Sequence, residues 1–220
     1  MKKTTLLIIG LLFAGVAQAS LITSGSIERL NDQQSSIDFW GFSTSGGSLV
    51  VDLLSWEVDN SLGVVTDVNG DGEIAFFDTY IYLLRDDGDL TQDDYINRND
   101  DAPTTLGSDG SVNGLDSYLS TNVAAGDYLL AVGAYGLSLG EVLAGVNSGE
   151  FYPVSCSGNM GDACGSYVPV EHGDYQITWT GDVQITSNPG QSVSVPEPGT
   201  LALMGLGLLG LGVSRKRRLK

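Results

Sequence analysis

The chain has 220 residues and 42% hydrophobic content, enough for one sizeable core and too apolar for a disordered polyelectrolyte. Its charge is uneven: apart from Lys2, Lys3 and the basic tail, residues 20–198 set 27 carboxylates against Arg29, Arg85 and Arg98, a net −24. That field excludes nucleic acid and anionic lipid as partners, keeps a protein soluble outside the cell, and favours hard cations such as calcium.

The first element is a targeting segment. Lys2 and Lys3 precede an uncharged run from Thr4 to Val16, and Ala17-Gln18-Ala19 forms a small-x-small exit before Ser20. This order predicts a secretory signal peptide over residues 1–19, handed to the Sec translocon and cleaved after Ala19. The apolar run is shorter than the roughly 20 residues a permanent span needs.

The mature chain then reads as short strands. Residues 37–42, 48–56, 79–84, 116–121, 128–135 and 175–180 are rich in β-branched and aromatic side chains. Turn residues separate them, as at Ser45-Gly46-Gly47, Asp86-Asp87-Gly88, Ala125-Gly126-Asp127 and Thr180-Gly181-Asp182. In the last strand Tyr175, Ile177 and Trp179 fall on one face. Many short strands with 30 glycines predict an all-β fold, an antiparallel sandwich.

Between the second and third of these strands lies Asp67-Val68-Asn69-Gly70-Asp71-Gly72-Glu73, with Asp78 completing the spacing. Oxygen side chains at positions 1, 3, 5 and 12, with glycine at 6 for the sharp turn, match an EF-hand-type calcium loop, and Asp at position 12 resembles dockerins. The candidate calcium ligands are therefore Asp67, Asn69, Asp71, Glu73 (through its main chain) and Asp78. A polar hairpin turn is the alternative, since Asn-Gly and Asp-Gly also form turns. A dockerin would continue into a helix, whereas Thr79-Tyr80-Ile81-Tyr82 prefers a strand. Further on, Asp86, Asp87, Asp93, Asp94, Asp100 and Asp101 surround the next hairpin, as a second cation site or as a charged edge that discourages aggregation.

Cys156 and Cys164 flank a glycine-containing loop and, in an exported chain, read as a disulfide. His172 is the one histidine, too few for a zinc site, and no nucleophile elbow or activated cysteine occurs. The expectation is a protein without catalytic residues.

The carboxy-terminal element is the most specific. Val195-Pro196-Glu197-Pro198-Gly199-Thr200 leads into an uncharged run from Leu201 to Val213, followed by Arg215-Lys216-Arg217-Arg218-Leu219-Lys220. As a helix, residues 200–214 would reach about 22 Å at 1.5 Å per residue, short of a hydrocarbon core of roughly 30 Å. The basic cluster would remain cytoplasmic. Residues 195–220 closely resemble the PEP-CTERM protein-sorting signal. The resemblance implies transient insertion in the inner membrane and recognition of Pro196, Glu197 and Pro198 by an exosortase. It also implies delivery to the cell surface, outer membrane or extracellular space, in company with exopolysaccharide and biofilm.

The segment between the tags, residues 20–194, carries a second likeness. Asp38-Phe39-Trp40-Gly41-Phe42, residues 78–88, 95–101 and 116–119, and Ala125-Gly126-Asp127-Tyr128-Leu129-Leu130-Ala131-Val132-Gly133 are similar to the bacterial pre-peptidase C-terminal domain over about residues 36–182. That likeness implies a calcium-associated jelly-roll sandwich, here with insertions at residues 66–77 and 137–170. The functional expectation is a calcium-stabilised matrix or surface component, with a carbohydrate-binding module, or less favourably a hydrolase, as the alternative.

Overall fold

A computed structural model describes residues 20–55, 67–106, 114–149, 151–156 and 165–189. The expected signal peptide, residues 1–19, and the sorting segment, residues 195–220, lie outside them. Among the described residues no helix is long and apolar enough to cross a membrane.

Among the described residues thirteen strands run in chain order: β1 (Leu21–Asn31), β2 (Gln34–Ser35), β3 (Asp38–Thr44), β4 (Gly47–Leu54), β5 (Ala75–Phe76), β6 (Thr79–Arg85), β7 (Tyr95–Asn99), β8 (Tyr118–Val123), β9 (Gly126–Ala134), β10 (Val154–Cys156), β11 (Tyr167–Pro169), β12 (His172–Thr180) and β13 (Gln184–Ser187). One short helix, α1 (Leu139–Ala144), follows β9. One five-stranded sheet has the order β2-β1-β12-β4-β8 and the other β13-β3-β9-β6-β7, while β11-β10-β5 form a small third sheet. Every paired strand is antiparallel.

The two large sheets face each other, because each strand alternates. In β12, Tyr175, Ile177 and Trp179 turn inward and are fully buried. They meet Trp40 and Phe42 of β3, Leu49, Val51 and Leu53 of β4, Ile81 and Leu83 of β6, and Leu130 and Val132 of β9 in one core. The intervening residues of β6 and β9, Tyr82, Leu84 and Ala131, form a second apolar layer on the outer face of their sheet, covered by Leu137 and Val142 of the α1 region. The fold is thus the expected all-β sandwich, with one side sealed by the inserted segment.

The core contains a polar bolt. Trp40 Nε1 donates to Tyr175 Oη (2.8 Å), which donates to Asp38 Oδ2 (2.5 Å), so β12 of one sheet is tied to β3 of the other. Gly25 of β1 sits opposite Tyr175, where a Cβ would lie 2.4 Å from the phenol oxygen. Only glycine leaves room for the bolt.

α1 begins with a capping box. Glu141 N donates to Ser138 Oγ (3.4 Å), while Ser138 N donates to Glu141 Oε2 (2.8 Å). Burial opposes ionisation of Glu141, but hydrogen bonds from Ser138 and Ser148 outweigh it and hold the carboxyl below its usual range.

Cys156 ends β10 and is disulfide-bonded. Cys164 lies outside the described residues.

Candidate metal centre

The residues from Asp67 to Ile74 form a compact loop whose side chains turn back on their own backbone. Asp67 accepts from Gly70 N (2.5 Å) and Gly72 N (2.9 Å). Asn69 Oδ1 accepts from Asp71 N (3.0 Å), and Asp71 Oδ1 accepts from Glu73 N (3.1 Å). Asn69 Nδ2 also donates to Asp71 Oδ2 (2.7 Å). These side-chain turns follow from Asp and Asn competing for nearby backbone donors. Gly72 takes a φ of 99°, the left-handed conformation that the sharp turn requires.

Two contacts fix this loop over the outer face of β12. Gln176 Nε2 donates to the Val68 carbonyl (3.1 Å), and Val68 itself is buried. Ser55 accepts from Phe77 N (3.1 Å) and donates to the Asp174 carbonyl (2.6 Å), which clamps the far end of the loop to the same strand. Since Tyr175, Ile177 and Trp179 point into the core, the period of two directs His172, Asp174 and Gln176 outward, beneath the loop.

The result is a cluster that loop spacing alone does not show. Ligand-capable atoms of Asp71, Glu73 and His172 all lie within 4.8 Å of one another. His172 Nε2 stands 2.7 Å from Glu73 Oε1 and 3.8 Å from Asp174 Oδ2, ion-pair separations without hydrogen-bond alignment. Asp174 is only 1% exposed, and neither of its carboxylate oxygens has a hydrogen-bond partner. Burial pushes its carboxyl up to about 8, reinforced by the nearby charges of Asp71, Glu73, Asp67 and Glu28.

Asp78 goes elsewhere. Its carboxylate gathers with those of Asp100 and Asp101, and its main-chain oxygen accepts from Tyr135 N (3.0 Å). Burial, then the charges of Asp100, Asp101 and Asp116, raise its carboxyl to about 7. The spacing expectation thus divides: Asp71 and Glu73 gather with His172, Asp67 and Asn69 turn onto the loop's own backbone, and Asp78 joins a separate acidic group. The cause is the strand that starts at Thr79. An extended β6 carries Asp78 away from the loop, where the helix of a dockerin would have returned position 12 to it.

The acidic pairs after β6 flank β7, an edge strand. Asp94 is buried and works structurally, accepting from Thr91 N (2.7 Å) and Thr91 Oγ1 (2.9 Å) at a short 3-10 turn. Asp87 and Asp94 also form a third acidic group with Asp89.

Sequence reasoning overlooked His172 and Asp174 as members of the site. The available signal was the clean alternation of residues 175–179, which extended backward by three positions puts both on the face opposite the core.

Comparison with known proteins adds one finding. No curated protein and no solved structure matches the chain. The family described as the PEP-CTERM protein-sorting motif matches residues 194–218, a segment that marks an exported protein processed by an exosortase and sorted to the cell surface or beyond.

Proposed function

We propose that the chain is a non-catalytic component of the cell surface or extracellular matrix, stabilised by calcium at the Asp67–Glu73 loop and held among exopolysaccharide after sorting. The observation that carries this reading is the sorting motif at residues 194–218. The loop supports the calcium part, since oxygen side chains gather on a surface whose few arginines lie elsewhere. Non-catalysis is supported by Cys156, whose sulfur is taken up in a disulfide. The likeness to the pre-peptidase C-terminal jelly roll belongs to the same proposal, supported by the pairing of its motif strands as β3-β9-β6-β7.

Fractionation of the producing cells tests it. With an active exosortase the protein should be recovered with the extracellular polysaccharide. Without one it should stay with the inner membrane, still carrying its basic tail. Equal recovery as free soluble protein in both strains would overturn the proposal.

One observation favours a second reading, carbohydrate binding. An open cavity of about 720 Å³ is lined by Arg29, Asn31, Gln33, Gln34, Phe151 and Tyr152, and Tyr152 is 69% exposed. An exposed ring beside side-chain amides offers a stacking face and hydroxyl partners to a sugar. A glycan array decides: binding to a defined neutral glycan, lost in Tyr152→Ala, would establish the lectin, and silence on every glycan would remove it.

A further inference from the structure

We infer that Asp174 of β12 supplies the closing carboxylate ligand of the Asp67–Glu73 cation loop, the position that linear spacing assigns to Asp78. The inference rests on reading that loop as a calcium site, and it changes what the site joins. A loop closed by Asp78 would be a self-contained chelate. Closed by Asp174, it ties the inserted segment to the penultimate strand of the sandwich.

Three observations lead there. Asp174 is a buried carboxylate with both oxygens unpartnered, and a buried acceptor without a donor is rare in folded proteins. It lies against the loop's cluster, since its Oδ2 is 3.8 Å from His172 Nε2, and His172 in turn lies within 4.8 Å of ligand-capable atoms of Asp71 and Glu73. The one cationic candidate nearby does not serve it, because His172 Nε2 is 3.8 Å from Asp174 but 2.7 Å from Glu73. A buried carboxylate beside the exposed carboxylates of Asp71 and Glu73 calls for a positive charge, and no lysine or arginine among the described residues pairs with it.

The donor chemistry selects the ion. Asp67, Asn69, Asp71, a loop carbonyl and Asp174 are all oxygen donors, the set a hard cation such as calcium takes six to eight at a time. Imidazole is the ligand of softer metals, so His172 remains the partner that orients Glu73. Asp78 gathers instead with Asp100 and Asp101, where Asp78 Oδ1 and Asp100 Oδ1 are likewise buried without a partner, so it belongs to a different acidic group.

The test measures calcium affinity by calorimetry, and melting in chelator and in millimolar calcium, on the full chain in mild detergent. Wild type is compared with Asp71→Asn, Asp78→Asn and Asp174→Asn. Expected results are a calcium-dependent rise in melting temperature for wild type, at least a tenfold loss of affinity in D71N and D174N, and a change below twofold in D78N. In chelator, D174N should melt at or above wild type, because the amide is a neutral isostere of a buried carboxyl whose oxygens have no donor. If D174N is poorly folded, Asp174→Ser replaces it, and the affinity of the folded variant decides. Wild-type affinity in D174N, or a D78N loss as large as that of D71N, overturns the inference while leaving the calcium loop intact. No calcium binding by wild type would overturn both.

Discussion

At the scale of single residues, the bolt of Trp40, Tyr175 and Asp38 places an ionisable group inside the sandwich. Burial raises the Asp38 carboxyl to about 6, only partly opposed by the Tyr175 hydrogen bond, with Glu28 adding to the rise. The folded protein therefore holds this proton to higher pH than the unfolded chain does. The associated stability is full below about pH 4 and is lost as pH rises through about 6. Two pH units correspond to about 3 kcal/mol. Asp38→Asn keeps an acceptor for Tyr175 and cannot ionise. The stability of wild type relative to D38N should fall by up to about 3 kcal/mol between pH 4 and 7. Denaturant titrations of both proteins across that range check it, and a constant difference would show that Asp38 does not titrate in the window.

At the scale of elements, the six strands expected from β-branched and aromatic runs are all present, with ends shifted by up to three residues, the last beginning at His172 rather than Tyr175. They were legible because large side chains alternate in them. The longest strand was not. β1 reads Leu-Ile-Thr-Ser-Gly-Ser-Ile-Glu-Arg-Leu-Asn, and its inward positions are Thr23, Gly25 and Ile27. Two of those three are small or polar because large groups lean over from the neighbouring strand β12: Trp179 Nε1 donates to Thr23 Oγ1 (2.8 Å), and the Tyr175 phenol fills the space above Gly25. A pattern set by a partner more than a hundred residues away does not appear in the strand's own sequence. α1 was legible in principle, since Ser138 and Glu141 have the spacing of a capping box, but it buries only Val142 along its length. The Asp67–Glu73 loop was half legible. Its local turns follow from Asp, Asn and Gly, whereas the separation of Asp78 and the approach of Asp174 depend on which strands flank the loop.

For the whole molecule, the decisive quantity is the imbalance of charge. Of the three arginines between the tags, Arg29 pairs with Glu171 (3.2 Å) and donates to the Phe151 carbonyl (2.9 Å). Arg98 donates to Tyr82 Oη (2.9 Å) and lies over the Tyr80 and Tyr82 rings at 5.9 and 5.8 Å. Arg85 alone of the three is exposed on the acidic surface without such a contact among those described. Most of the 27 carboxylates therefore repel one another through solvent. Raising sodium chloride from about 0.01 to about 1 M contracts the screening length from about 30 to about 3 Å. In chelator, the melting temperature should rise steadily over that range. A flat or falling curve would show that self-repulsion does not limit stability.

The pairing of β1 with β12 has a consequence for the order of events during export. β1 begins at Leu21 and is held by β12 along Leu21–Glu28, with only the two residues of β2 on its other side. A chain delivered amino end first presents β1 at the start and β12 some 150 residues later. The first sheet has no centre until then, since β12 also carries β4. Contacts of such long sequence separation form late and slowly. The sorting segment at residues 194–218 follows soon after β13 ends at Ser187. Closure of the sandwich thus waits until the chain just ahead of the sorting segment has been delivered, and until then the edges of the first sheet stay open.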